Sequence, residues 1–480
     1  MKTTFSTTRL IWALAILLSC TSTSSVLAQG IIRQTTQSLN SELPVGCGSH
    51  HLMKHIDREL PGFMESSNQW LQSASNSFQK HGKAKELKTV EVVFHVVYED
   101  EKENLSDSVI QHQLDILNKA FRGDLVTNDN LRPEFHELVG DSRIEFKLAQ
   151  FDPNGNPTSG ITRTNTSIAN FGGILPYSAN QRAEIDAWVE DSLMPNLSRI
   201  MSTQNGGIDA WDTKRYLNIW IGDLSVFEPK INNFEEVLLV GLATSPAGHE
   251  NFKNEPALEQ ILQHLSQGVL MQYNAIGPEN PSKFEGVYSQ LNDLVTNGLI
   301  LVHEVGHYLG LRHIWGDGDC HQDDFIDDTP KSNTSSQFNC VKTRNTCIDT
   351  ILGKDLPDMV ENFMDYSNGQ CQNSFTNGQI HIMRSVLENH RSQLVSTHKT
   401  PELIELLAVP NPTTGKCTIE LPEASNHVWY TIRDSKGSIV AKGERSAVTQ
   451  LQLELNAQPG LYIVTLTTDH HRFVGKVLKR

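Results

Sequence analysis

Beyond its N-terminus the chain has no stretch apolar enough to cross a membrane, no internal repeat and no excess of positive charge. Forty Lys and Arg face 56 Asp and Glu, a formal net charge of −16. Nucleic acid is therefore not the expected partner, because phosphate binding needs a basic footprint. The acidity suits solubility, and clustered Asp would also suit a hard cation such as calcium. No Cys-x-x-Cys pair occurs, which argues against a four-thiolate metal site.

What is present begins with an export signal over residues 1–28. Lys2 and Arg9 precede the apolar run Leu10 to Leu18, and Val26-Leu27-Ala28 offers small residues at the −3 and −1 positions of a cleavage after Ala28. The run is too short to span a bilayer, so the protein is expected not to be membrane-spanning. Cys20, after Leu17-Leu18-Ser19, leaves lipidation as an alternative. Without the signal, six of the seven cysteines remain, and four lie between Cys320 and Cys371. In an exported chain of 480 residues, long enough for two or three domains, such a cluster implies disulfides.

Residues 29–88 are polar, with a basic stretch from Lys80 to Lys88, and read as a prosegment or linker rather than a core. From 89 to 395 the pattern changes. Val90 to Tyr98 reads as a buried strand, Ser106 as the cap of a helix with Val109, Gln113, Ile116, Leu117 and Ala120 on one face. Ile144 to Ala149, Leu217 to Ile221 and Val237 to Ala243 read as further strands, so an α/β sheet is expected. The last strand is a candidate sheet edge for an extended peptide. Leu294 to Leu311 reads as a helix, 316–378 as loops and Ile380 to Gln393 as a closing helix. Residues 405–480 change style again, with short alternating strands between turn signals such as Gln458-Pro459-Gly460, the pattern of a small all-β sandwich.

The decisive string is His303-Glu304-Val305-Gly306-His307-Tyr308-Leu309-Gly310-Leu311-Arg312-His313. Histidines four apart share one helix face, so His303 and His307 can reach one ion. Gly310 can adopt a positive φ and end the helix, which brings His313 round as a third ligand. Three neutral imidazoles leave a position open for water, and Glu304 beside the first ligand is placed to take its proton. Such a set arises by chance in about one chain in ten thousand, a rough product of residue frequencies.

This string resembles the zinc-binding consensus of the metzincin clan. Together with His313-Ile314-Trp315-Gly316-Asp317, Asp328-Thr329-Pro330 and Glu361-Asn362-Phe363-Met364-Asp365-Tyr366-Ser367, it resembles the pappalysin family of zinc metallopeptidases over about 90–390. The resemblance implies a metzincin-like α/β catalytic domain: a twisted mixed sheet, an active-site helix and a loop-rich C-terminal subdomain. It implies a secreted zinc endopeptidase acting on protein or peptide substrates. Met364 would lie beneath the three histidines in a Met-turn. Tyr366 would donate its hydroxyl to the developing oxyanion. The family's crossed pairing would join Cys320 to Cys347 and Cys340 to Cys371. Asp323, Asp324, Asp327, Asp328 and Thr329 resemble its calcium loop, with Asp324 and Thr329 the chosen ligands; a solvated acidic loop is the alternative. Members that cleave at Arg or Lys carry an acidic S1′ residue just before the last cysteine, where this chain has Gln370, which leaves its side-chain preference open.

Cys47-Gly48-Ser49 resembles the cysteine switch of related zymogens. A thiolate is a good soft ligand, so Cys47 would fill the open zinc position until cleavage between Cys47 and Val90 releases it. Residues 405–480 resemble the sorting domain of the type IX secretion system, through Val409 to Gly415, Gly460-Leu461-Tyr462 and the basic end Lys476 to Arg480. That implies passage through the periplasm of a Gram-negative bacterium to the medium or the cell surface. A carbohydrate-binding or adhesive module is the other reading of this unit. Two rivals to the whole remain: a catalytically silent surface adhesin on the same scaffold, and a zinc hydrolase of some bond other than the peptide.

Overall fold

A computed structural model describes residues 32–33, 47–81, 86–174, 192–229, 234–246, 256, 265–285, 289, 291–395, 403–405, 407–435, 438–468 and 472–480. The expected signal segment with Cys20, and residues 82–85 of the basic stretch from Lys80 to Lys88, lie outside them. Among the described residues no helix is long and apolar enough to cross a membrane.

The central sheet grows around β2 (Lys88–Tyr98), whose apolar residues run almost without interruption because both faces are covered. Val90, Val92, Phe94 and Val96 point into one core, and Val93 and Val97 join separate clusters on the other side. β3 (Ile144–Leu148) and β4 (Ile161–Asn165) pair in parallel with successive halves of β2. On the other side follow β6 (Tyr216–Gly222) and β10 (Val269–Gln272), both parallel, and last β9 (Gly241–Ala243), antiparallel and at the edge. A second small sheet carries β1 (Ile32–Arg33), β8 (Phe234–Leu238), β7 (Val226–Pro229) and β5 (Gly173–Ile174). The expected strand Val237 to Ala243 is thus two strands: Leu239 and Val240, both buried, separate β8 from β9.

Helix α3 (Asp107–Phe121) packs Ile110, Leu114 and Leu117 against the sheet, and the Ser106 hydroxyl caps it by accepting from Val109 N–H. Its buried Gln113 accepts from Gly277 N–H and donates to Gly298 C=O, fixing the turn that leads into the helix carrying the histidines. That helix, α4, spans Leu299–Tyr308. The single helix expected over Leu294 to Leu311 is broken: a short turn of helix covers Asn292–Val295, then Gly298 takes φ 84° and restarts the chain. α5 (Asn377–Asn389) starts at a capping box of Thr376 and Gln379 and buries Ile382, Met383 and Val386 against α4.

The N-terminal segment corrects the polar reading given to it. α1 (Ser49–Glu59) and α2 (Phe63–His81) are helices, and Leu52, Ile56, Leu60, Phe63 and Leu71 are buried. These apolar residues are few because the helices build no core of their own. They cover the sheet-and-helix unit that follows, α1 on the face formed by Trp220, Leu242 and Leu270, and α2 against α5. The loop-rich subdomain carries two disulfides, Cys320–Cys347 and Cys340–Cys371.

The C-terminal unit is all-β. Its strands are β11 (Leu403–Glu405), β12 (Ala408–Val409), β13 (Lys416–Asp434), β14 (Ile439–Glu454), β15 (Gly460–Thr468) and β16 (Arg472–Lys479). They are antiparallel except where β11 meets β16. The long β13 is bulged between Glu420 and Ser425. Alternate residues, among them Ile419, Val428, Ile432, Val464 and Phe473, fill one core.

Candidate metal and catalytic site

α4 is buried on nearly every side, so each polar group it carries needs a partner. His303 Nδ1 lies 2.7 Å from Phe363 C=O and His307 Nδ1 lies 2.8 Å from Leu311 C=O. A carbonyl only accepts, so both Nδ1 atoms carry the proton and both Nε2 atoms are lone pairs. The helix then ends in a Schellman motif. Gly310 has φ 94°, its N–H reaches His307 C=O, and Leu311 N–H reaches Gly306 C=O. This reversal delivers His313, whose Nδ1 lies 2.6 Å from Asp317 Oδ1 and whose ring stacks on Trp315 at 4.3 Å.

The result is three imidazoles with Nε2 atoms converging: His307 Nε2 is 3.0 Å from that of His303 and 3.1 Å from that of His313. Burial, then His313, pushes the pKa of His303 down to about 3, and burial pushes His307 well below its ordinary value. His303 and His307 thus turn two buried, unprotonated Nε2 atoms toward the third imidazole, a spacing that a cation among the three would relieve. Imidazoles whose second ring nitrogens are tied to carbonyl or carboxylate oxygens form a donor set that fits zinc. The Cys47 sulfur completes the cluster, all four ligand atoms lying within 4.8 Å of one another.

Glu304 is fully buried. Burial pushes its pKa up to about 8, although Cys47 Sγ (3.1 Å) and Ser49 Oγ (3.3 Å) both donate to its Oε2. Among the described residues its Oε1 has no hydrogen-bond partner. The edge strand passes so close that a Cβ on Gly241 would lie 2.6 Å from Glu304 Cγ, so only glycine fits there. Tyr366 reaches the same place, its hydroxyl accepting from Cys47 N–H at 2.7 Å. Met364 is fully buried under the site, and a Cβ on Gly306 would lie 2.5 Å from its Sδ. The glycine between the first two histidines is therefore a packing requirement of the Met-turn.

Residues 47–50 enter as a unit. Cys47 bridges to Gly241 in parallel, Gly48 N–H donates to Gly241 C=O, and Ala243 N–H donates to Ser49 Oγ. His50 Nδ1 lies 3.1 Å from Asp317 Oδ2. Burial works to raise the pKa of Asp317, but His313 and His50 hold it well below the usual carboxylate range. Burial, and next Glu304, push the Cys47 thiol well up. Asp317, Ser49, His50 and Gly241 were given no role from sequence. Only Asp317 left a signal, standing four residues after His313.

The Asp323–Thr329 loop lies apart from the histidines. Thr329 Oγ1 sits 2.7 and 2.9 Å from the two Asp324 oxygens and 2.7 Å from Ile326 C=O, three acceptors around one hydroxyl proton. Asp323 pairs with Lys331, Asp327 is exposed, and Asp328 accepts from Gly378 N–H. Gln370 is exposed and does not line the cavity that adjoins His303 and Glu304. Besides Glu304, the acidic group in that wall is Asp365, buried, with Oδ2 unpartnered among the described residues, and Gln372 stands beside it.

Comparison with known proteins fits this geometry. Residues 278–388 match the family model described as pregnancy-associated plasma protein-A, a peptidase family. Residues 408–480 match the secretion system C-terminal sorting domain. An extracellular metalloprotease of Arthroderma benhamiae is 24% identical over 307 residues, 63% of this chain and 74% of that protein. The solved structure of a mutant of Tannerella forsythia promirolysin is 31% identical and covers 73% of this chain and 96% of its own, with a TM-score of 0.52. Mature mirolysin with a cleaved peptide is 32% identical, covering 65% and 97%, with a TM-score of 0.48.

Proposed function

Since the chain belongs to the pappalysin family of metallopeptidases, with a secretion sorting domain at its C-terminal end, we propose that it is a latent zinc endopeptidase switched off by its own Cys47. The protein is a metallopeptidase, secreted or held at the cell surface. His303, His307 and His313 would hold zinc through Nε2, and the ion would supply Lewis acidity to the scissile carbonyl. The observation that carries this reading is the convergence of three Nε2 atoms beside the buried Glu304 carboxyl.

Glu304 takes a proton from the attacking water and passes it to the leaving amine; burial keeps its basicity high enough for both transfers. Tyr366 turns its hydroxyl to the carbonyl oxygen as that oxygen gains charge. β9 offers its free edge to an extended substrate, in the place where residues 47–49 now lie.

In the latent form Cys47 would hold the zinc through its sulfur beside the three histidines, giving up the proton it now donates to Glu304, while Ser49 occupies the base. Residues 1–28 direct export, 29–88 are removed on maturation and 89–395 are the catalytic domain. The type IX machinery reads the sorting domain within 405–480. Asp324 and Thr329 would hold calcium, a hard cation suited to the oxygen cluster around the Thr329 hydroxyl.

The test is Glu304→Gln in the matured enzyme, assayed on casein. Hydrolysis should fall about 100-fold or more while zinc content stays unchanged. Full activity in this variant would exclude Glu304 as the base.

A further inference from the structure

Two cavities flank the histidines at opposite ends of β9. One has Val240 in its wall, just before the strand, with His303 and Glu304. The other has Ser245, two residues beyond the strand, with His307, Leu311, Arg312 and Asp317. The rest of the second wall, Ser49, His50, Met53 and Met64, belongs to the N-terminal helices. An extended chain lying on β9 advances about 3.3 Å per residue, so side chains a few residues from the scissile bond pass over this second cavity.

Arg312 is the unexplained charge there. It stands between the second and third histidines, partly buried, and its hydrogen bond runs from Nη2 to Ser67 Oγ on α2 at 3.3 Å. The guanidinium also lies over the Phe325 ring, 5.5 Å from its centroid. Among the described residues no carboxylate lies within ion-pair reach of it. Asp317, in the same wall, already serves His313 through one oxygen and His50 through the other. A guanidinium has five N–H donors in a rigid fork that matches a carboxylate, and a single hydroxyl leaves most of that capacity unused.

We infer that Arg312 is a specificity residue of the matured cleft, where it binds the carboxylate of an acidic substrate side chain. The inference rests on the peptidase reading and on removal of residues 29–88. That removal takes away Ser67 together with the four covering residues, opens the cavity along β9 and leaves the fork facing it. A carboxylate then meets the fork in bidentate fashion, in a place where burial weakens competition from water.

The experiment uses the matured, zinc-loaded enzyme and peptides in which Glu, Ala or Lys is walked through the positions on both sides of one scissile bond. At one position Glu should raise kcat/KM about tenfold over Ala, the worth of a hydrogen bond to a charged group. Arg312→Gln should bring that ratio close to parity, and Arg312→Glu should turn the preference to Lys at the same position. If wild type favours Glu nowhere, or if the preference survives Arg312→Gln, the assignment is overturned. The wild-type comparison decides alone should the variants fail to fold. Wild type that cleaves all the peptides equally sinks the role of Arg312 only; zinc-loaded wild type that cleaves none sinks the peptidase reading as well.

Discussion

Cys47 Sγ donates to Glu304 Oε2 across 3.1 Å, joining residues 257 apart in the chain. One side chain thereby touches the base and stands at the fourth corner of the histidine cluster. Replacing it separates two parts of latency, the thiol itself and the covering helices. Cys47→Ala should raise peptide hydrolysis by the uncleaved chain at least about tenfold, each factor of ten being worth about 1.4 kcal/mol. Unchanged latency in a fluorogenic assay would mean that the helices, not the thiol, close the cleft.

Asp317 holds the His313 ring and is held in turn by His50. Groups that orient a metal ligand affect affinity nearly as strongly as the ligand. Asp317→Asn should weaken zinc binding about 10- to 100-fold, measured by competition with a chromogenic chelator. Unaltered affinity would show that Trp315 stacking alone orients the ring.

Gly306 leaves no room for a side chain above Met364 Sδ. Gly306→Ala should cost about 1–3 kcal/mol through overpacking, despite alanine's better helix propensity. A rise in the thermal midpoint would contradict the packing described.

His95 lies fully buried between Thr162 Oγ1 at 2.8 Å and Asn218 Oδ1 at 3.0 Å, and burial pushes its pKa down to about 4. The unfolded chain takes up a proton near pH 6.5 and the folded one does not until about 4. The stability His95 contributes is therefore present above pH 6.5 and lost as pH falls to 4, at most about 3 kcal/mol. His95→Gln should flatten this part of the stability curve in denaturant titrations at several pH values. An equal loss in both proteins would place the acid sensitivity elsewhere.

Asp324→Ala should abolish any calcium-dependent rise in melting temperature. A wild-type protein whose melting is indifferent to calcium, after EGTA treatment and re-addition, would remove the calcium reading.

How much of this was legible in the sequence depended on the range of the interaction. His303, Glu304, His307 and His313 could be read because helix periodicity and one glycine fix their relation within eleven residues. The sheet strands could be read because β2 and β6 are buried on both faces and show it in nearly continuous apolar runs. Gly241 against Glu304 and Ser49 against Ala243 could not, since those contacts join distant segments whose residues carry no periodic signal. The N-terminal helices were undervalued for the same reason: Leu52, Ile56 and Leu60 are spaced for a helix, but what they cover belongs to another part of the chain. Gln370 drew attention by its place before Cys371, yet the fold turns it outward and sets Asp365 in the cavity wall.

The most direct test is the zinc content of the purified, folded wild-type chain after dialysis against trace zinc, read by mass spectrometry of the metal. The account predicts one tightly held zinc ion per chain, lost when His303, His307 or His313 is replaced by alanine. A folded chain that retains none would contradict it.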